Sequence, residues 1–229
     1  EYQGGFAQYI KAPSVNIAKL PKDFPLEHAV RLGYLGTAYH ALKRAGVHYG
    51  STVLINGATG TIGTSAVLLA LAMGASKIIA VANKKDRLQR LKQLSPIIIE
   101  TLSLLDGETT GKIRELTDEK GVEAYVDCLS YVDTSSTQQN LFAVKKGGTI
   151  VCIGGATGSL TVPYGFLLGT EINLTGSIWF HTYEVYEMLS LIASGRLNLE
   201  PTETKSFPLG QINEAIQMAG SRLGGLNTI

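Results

Sequence analysis

The sequence predicts a doubly wound α/β fold, a parallel sheet covered by helices on both faces. Three observations carry this. From residue 52 onward, short Val/Ile/Leu-rich runs alternate with stretches of helical spacing, and strands separated by helices pair in parallel through right-handed crossovers. The runs are apolar throughout rather than alternating, as strands are when both faces are buried. A glycine-rich turn, Gly57 to Gly63, joins the first of these strands to the helix after it.

Composition agrees. Of 229 residues, 45% are hydrophobic and 17% charged, against about 25% charged in an average globular protein. Glycine is frequent, at 26 residues, above the usual share of about 7%. The 20 basic and 19 acidic residues leave a net charge of +1, which gives no general signal for nucleic acid or an anionic membrane. No apolar run reaches the roughly 18 residues of a membrane-spanning helix. No charged-then-apolar leader opens the chain, and two cysteines make no disulfide framework. A cytoplasmic protein is expected. At roughly 150 residues per domain the length gives about one and a half domains. The chain opens on Glu1 and stops at Ile229 inside an apparent strand, so a piece of a longer polypeptide is expected.

The elements follow in order. Gly5–Ile10 alternates like a strand, and Pro13, Pro21 and Pro25 punctuate an extended stretch. Leu26–Arg44 has helical spacing, with Pro25 before its start and Gly46 past its end. Thr52–Asn56 is the first sheet strand. Thr61–Met73 is a helix closed by Gly74, Lys77–Ala82 the second strand, and Lys84–Leu94 a basic amphipathic helix burying Leu88, Leu91 and Leu94. Pro96–Ile99 is expected as the third strand and Thr109–Leu116 as a helix. Val122–Cys128 is the fourth strand, Ser135–Val144 a helix and Gly148–Ile153 the fifth strand. Ile172–Trp179 is the sixth, and Tyr183–Ala193 the helix after it.

The turn Gly57-Ala58-Thr59-Gly60-Thr61-Ile62-Gly63 carries the chemistry. Glycines let the chain turn sharply and bring backbone against a pyrophosphate, while the helix start offers free N–H groups and a positive dipole end. The strand–turn–helix context supports a dinucleotide-binding, Rossmann-type reading, and no Gly-Lys-Ser/Thr marks a P-loop. An NAD-specific site places an acid at the end of the second strand. Here Asn83, Lys84 and Lys85 stand there instead, so NADP(H) is expected over NAD(H), with the lysines pairing a 2′-phosphate and Asn83 donating to it.

A Tyr-x-x-x-Lys pair after the turn, which a short-chain dehydrogenase needs for proton transfer, is absent; the one match, Tyr39 with Lys43, precedes the turn. The chain resembles the medium-chain dehydrogenase/reductase family, the zinc-type alcohol dehydrogenases and their quinone-reductase-like relatives. The resemblance rests on Gly4–Tyr9, Thr37–Leu42, the glycine turn, Val126-Asp127-Cys128, Gly148–Gly155 and Gly176–Trp179 in that family's order. It implies remnants of an N-terminal GroES-like catalytic domain at both chain ends: residues 1–25 as its edge, 26–200 as the dinucleotide-binding domain, and 201–229 as a return segment. It implies Thr37 near the nicotinamide, Thr61 and Ile62 at the pyrophosphate, and Cys128, Leu129 and Ser130 at the adenosine end. Ile153, Gly154, Gly155, Ser177 and Ile178 would flank the nicotinamide ribose and carboxamide. The cofactor-binding set is completed by Gly57, Thr59, Gly60, Gly63, Asn83, Lys84 and Lys85. The resemblance also implies a homodimer through 172–179. The implied reaction is hydride transfer between a nicotinamide and a small carbonyl, alcohol or activated alkene.

A family zinc ligand would stand four residues before Thr37, where this chain has Gly33. Glycine gives a metal no side chain, and a catalytic site needs about three protein ligands. Work without catalytic zinc is therefore expected. The alternatives are a zinc-dependent alcohol dehydrogenase and a non-catalytic nucleotide-binding module. Cys128 and Cys152 read as inert thiols, His40 as packed, and His181 as a candidate substrate contact.

Overall fold

Side chains alternate between two hydrophobic cores along every central strand. Val53 and Ile55 of β1 (Thr52–Asn56) enter one core, while Leu54 enters the other. In β2 (Lys77–Ala82), Ile78, Ala80 and Ala82 face the first core, and Ile79 and Val81 the second. In β4 (Val122–Asp127), Ala124 and Val126 oppose Tyr125. Because strand side chains alternate with a period of two, both faces of the sheet are covered, as the apolar runs predict. The computed structural model describes residues 4–221 and 224–228. Residues 1–3, 222–223 and 229, which belong to the expected 1–25 and 201–229 segments, lie outside the described residues.

The remaining strands are β3 (Ile99–Ser103), β5 (Val144–Cys152), β6 (Asn173–Gly176), β7 (Glu203–Thr204) and β8 (Asn227–Thr228). The main sheet has the order β3-β2-β1-β4-β5-β6, every pairing parallel. That order reverses between β1 and β4, the switch point where doubly wound sheets open a crevice at their carboxyl ends. The α-helices among the described residues are α1 (Leu26–Ala29), α2 (Leu32–Arg44), α3 (Thr61–Ala72), α4 (Lys85–Leu94), α5 (Thr110–Leu116), α6 (Ser135–Asn140), α7 (Tyr164–Thr170), α8 (Thr182–Ala193) and α9 (Ile212–Gly220). β7 and β8 form a separate parallel ribbon.

Several boundaries differ from the sequence reading. Gly5–Ile10 is not a strand; Phe6 and Tyr9 are exposed, and no strand among the described residues is paired with them. Alternation alone could not identify it, because a strand needs a ladder partner. The helix expected over Leu26–Arg44 is interrupted: α1 ends at Ala29, and Arg31 caps α2 instead of continuing it. The third strand is Ile99–Ser103 rather than Pro96–Ile99, because Ile78 pairs with Ile99 and Ala82 with Ser103. α7 and α9 have no counterpart in the sequence reading; the two glycines inside Tyr164–Thr170 lower helix propensity and mask the first. The sixth strand keeps four residues, and Trp179 beyond it has φ +54, a left-handed backbone that cannot continue an extended strand.

Candidate functional site

β1 delivers the chain into a tight loop. Gly57 sits at φ +76, where a side chain is strained, and the amides of Gly57 and Ala58 donate to the Val81 carbonyl at 2.9 and 3.0 Å. Gly60 caps α3 with extended backbone. A Cβ on Gly63 would lie 2.2 Å from the Gly57 carbonyl oxygen, so only glycine lets the helix start on the loop. Thr64 makes the first intrahelical bond, to the Gly60 carbonyl at 2.8 Å. The amides of Thr61, Ile62 and Gly63 are then the donors that a helix start offers an anion. No acidic residue stands in this first turn to oppose one.

A cleft of about 750 Å³ opens above the turn, within the range of about 300–1,000 Å³ usual for cofactor sites. It is lined by Gly57, Thr59, Gly60, Thr61, Ile62 and Gly63, by Asn83 and Lys84 after β2, and by Cys128, Leu129 and Ser130 after β4. These residues come together from three loops at the switch point. Lys85 does not line the cleft: its ammonium is held by Asp106 at 2.5 Å. Arg87 lines it instead, packed so that a Cβ on Gly224 would lie 3.1 Å from its Cδ and 3.2 Å from its Nε. A sequence signal for Arg87 exists, since it stands in the first turn of α4, shortly after Asn83 and Lys84. The contribution of Gly224, Asn227 and Thr228 to the lining has no sequence signal, because it depends on where residues 224–228 land.

The residues expected at the nicotinamide end form a second group, along the carboxyl ends of β5 and β6. The Ile153 and Gly154 amides donate to the Asp127 carbonyl at 3.0 and 3.1 Å, and the Ser177 amide to the Cys152 carbonyl at 3.0 Å. Gly154 lies against the backbone of Leu129, and the Gly155 amide donates to Ser130 Oγ at 3.0 Å. Ile178 is exposed. Thr37 is buried in α2, its hydroxyl donating to the Gly33 carbonyl at 3.0 Å. The adjacent Gly36 abuts Phe180, whose ring atom Cγ would lie 2.5 Å from an added Cβ. That contact brings α2 against the segment after β6. None of these seven residues — Thr37, Lys85, Ile153, Gly154, Gly155, Ser177 and Ile178 — lines the 750 Å³ cleft itself.

A buried polar layer supports the loops from behind. Asn56 Nδ2 donates to the Tyr125 hydroxyl and to Ser136 Oγ, both at 3.1 Å. Asp127 accepts from Thr137 Oγ1 at 2.5 Å and from the Leu129 amide at 3.3 Å. Burial nonetheless holds the Asp127 carboxyl above its ordinary pKa. Burial, with Asp127 nearby, also pushes the Cys152 thiol up to about 11 and Cys128 well above its ordinary value. Both cysteines are free and remain protonated thiols at neutral pH, weak nucleophiles.

Tyr39 and Lys43 do not form a proton-transfer pair. The Lys43 ammonium lies 5.2 Å from the Tyr39 ring centroid and pairs with Glu187 at 2.7 Å and Glu184 at 3.3 Å. Burial and a hydrogen bond to Glu187 push the Tyr39 hydroxyl up to about 12, the opposite of activation. His40 Nδ1 meets both Glu184 oxygens at 3.1 Å, and His181 caps α8 through a reciprocal bond, its amide donating to Glu184 Oε2 at 2.8 Å. The Glu184 side chain has no exposed surface. Burial pushes its carboxyl up, but the His181 amide, His40 and Lys43 outweigh burial and leave it below the ordinary value of 4.5. A depressed carboxyl stabilises the fold above its unfolded pKa and loses that contribution as pH falls through the folded value. Glu184→Gln is therefore expected to cost about 1–3 kcal/mol near neutrality. The difference from wild type should narrow below pH 4.5, read from urea unfolding at several pH values. A gap that stays constant into acid would show that Glu184 acts by shape alone.

Among the described residues no three His, Cys, Asp or Glu side chains converge as a metal site, and no helix is long and apolar enough to cross a membrane. At Gly33 helix α2 has no side chain to give a metal.

Comparison with known proteins places these features. The family model of the zinc-binding dehydrogenases matches residues 61–194, from the first residue of α3 to the residue just after α8. Sorbitol dehydrogenase of Gallus gallus is 30% identical over 222 residues, covering 93% of this chain and 59% of that protein. An alcohol dehydrogenase from Thermus sp. ATN1 superposes with a TM-score of 0.84 at 25% identity, over 96% of this chain and 63% of that one. An alcohol dehydrogenase zinc-binding domain protein from Burkholderia ambifaria gives 0.82 at 25% identity, over 93% and 58%. The chain spans about 60% of the length of the curated relatives it matches.

Proposed function

The chain belongs to the zinc-binding dehydrogenase family, and from that premise we propose that its cleft binds NADP(H) in preference to NAD(H). The cofactor serves hydride transfer between the nicotinamide and a small carbonyl, alcohol or activated alkene. The observation that carries the reading is the composition of the cleft: a glycine turn at a helix start, then Asn83, Lys84 and Arg87, with no carboxylate among its described lining residues. The amides of Thr61, Ile62 and Gly63 would take the diphosphate. Lys84 and Arg87 would neutralise a 2′-phosphate, which an acid at that position would repel. The turn would fit the cofactor because glycine at 63 lets α3 begin directly against the loop, with Thr61, Ile62 and Gly63 lining the cleft.

Hydride transfer is the chemistry the bound nicotinamide supplies; the protein's part is to hold it, orient it and exclude water. Gly33 supports a reaction without catalytic zinc, as its position gives no ligand to a set of about three. Names of relatives that act on sorbitol or alcohols support a small polar carbonyl or alcohol as substrate. The test is a titration with NADPH and NADH followed by nicotinamide fluorescence, then turnover on a carbonyl and enone panel with and without chelator. Tighter NADH binding sinks the cofactor preference, and activity lost to chelation sinks the zinc-free reading.

The open edge of the sheet supports a homodimer. Among the described residues β6 has a partner, β5, on one side only, and Ile178 and Trp179 beside it are exposed at 79% and 70%. An apolar sheet edge of this kind is normally covered. Sedimentation at micromolar concentration is expected to give twice the chain mass, and Leu174→Lys on β6 to give the monomer. A wild-type monomer throughout that range would rule the dimer out.

A further inference from the structure

Arg31 holds a charge that nothing above employs. Its residue is 2% exposed, and it makes no ion pair among the described residues. Its guanidinium donates instead to three backbone carbonyls: Gly225 at 3.0 Å, Leu226 at 2.7 Å and Glu203 at 3.1 Å. Its Nε is buried without a partner, and burial lowers its pKa. Taking a guanidinium out of water is costly unless its hydrogen bonds repay it, so the three carbonyls mark a fixed attachment. A planar fork suits that attachment, since it reaches several acceptors in one rigid arrangement.

The fastened segment lies directly on the glycine turn. The Gly225 amide donates to the Thr59 carbonyl at 2.9 Å. A Cβ on Gly225 would stand 2.1 Å from Thr64 Oγ1 and 2.2 Å from the Gly60 carbonyl oxygen. On either side of it, Gly224, Asn227 and Thr228 line the cleft. Thr228 is 9% exposed and its Oγ1 is buried without a partner, so the wall carries a hydroxyl with unused hydrogen-bonding capacity.

We infer that Arg31 is a positioning residue of this cleft: it latches the return segment Gly224–Thr228 across the glycine turn and holds one wall of the ligand site without touching the ligand. The inference rests on the dinucleotide reading for the identity of the ligand, while the latch itself does not. If releasing the latch leaves the wall in place for about a tenth of the time, the apparent dissociation constant rises about tenfold, because only the competent fraction binds.

The experiment uses the full chain with Arg31→Met, which keeps length and removes every donor, and Gly225→Ala, which leaves Arg31 intact but forces the segment off the turn. Hydrogen exchange at the Gly225 amide reads the latch. Titration with NADPH and with NADH reads the site, at a temperature where circular dichroism shows each variant folded. Both variants are expected to lose about tenfold or more in Gly225 protection and in affinity for both nucleotides. The double variant should fall within about twofold of either single one, since both act through one segment. Guanidinium ion added to Arg31→Ala should recover affinity that equal sodium chloride does not. If Arg31→Met fails to fold, Gly225→Ala with the exchange measurement still decides the matter.

Unchanged Gly225 exchange in the variants overturns the latch. Lost protection with unchanged affinity overturns the positioning role, as does protection lost uniformly along the chain or affinity losses that add. Wild-type protein that binds neither nucleotide overturns the dinucleotide reading instead, and the exchange result then judges the latch alone.

Discussion

Gly63→Ala is expected to lower dinucleotide affinity at least tenfold and stability by roughly 1–3 kcal/mol, the usual cost of forcing a methyl into packed structure. The added Cβ would meet the Gly57 carbonyl oxygen at 2.2 Å and the Ala58 Cα at 2.7 Å. Both are backbone atoms, so neither can rotate aside. The start of α3 must move away from the loop, and the amides of Thr61 and Ile62 move with it. Donors that work by direction lose strength steeply when misaligned. Gly60→Ala is the matched control: an added Cβ there meets only the Gly57 oxygen at 3.4 Å, an ordinary contact, and Gly60 has no left-handed φ. Thermal unfolding and nucleotide titration of the two variants measure the contrast. Equal losses at both positions would refute a specific steric role for Gly63.

Lys84→Ala is expected to weaken NADPH binding about tenfold while leaving NADH within about twofold, the scale of one charge-assisted hydrogen bond on a phosphate. Lys85→Ala should change neither. The two lysines are neighbours in sequence, yet Lys84 lines the cleft and Lys85 is paired with Asp106. Lys84 is exposed, so its effect is screened, and raising the salt concentration should shrink the NADPH preference. Arg87→Ala is expected to weaken both nucleotides, because its side chain packs against Gly224 as well as facing the cleft. If Lys85→Ala proves as harmful as Lys84→Ala, the assignment of the charge to Lys84 fails.

Much of the fold was legible because its signals are local. The strand runs of β1, β2 and β4 carry their burial in their composition, and the structure buries both faces. Gly57, Gly60 and Gly63 at the end of a strand pointed to a tight loop before a helix start; the left-handed φ of Gly57 and the clash a Cβ at Gly63 would make show why, while Gly60 has room for a side chain. What failed were features lacking a local cause. Gly5–Ile10 alternates without a ladder partner. Ser135–Val144 breaks into α6, a short tighter turn and then the start of β5, because Val144 pairs with Val122. β3 begins three residues later than the Pro96–Ile99 run, because its register is chosen by β2 and not by that run itself.

By itself the sequence determined the class of sheet, the place of its glycine turn and the lack of a metal-binding side chain at Gly33. Each follows from residue type at a fixed position, where the constraint is covalent or confined to neighbours along the chain. Only the tertiary structure decided that Arg87 faces the cleft while Lys85 is turned to Asp106, and that Glu184 is buried beneath His40 and Lys43. It alone brought Gly225, more than 160 residues along the chain, onto Thr59 and turned Arg31 inward to hold it there. Those outcomes depend on which surfaces meet when the chain closes, and burial then fixes the direction of every charged side chain caught between them.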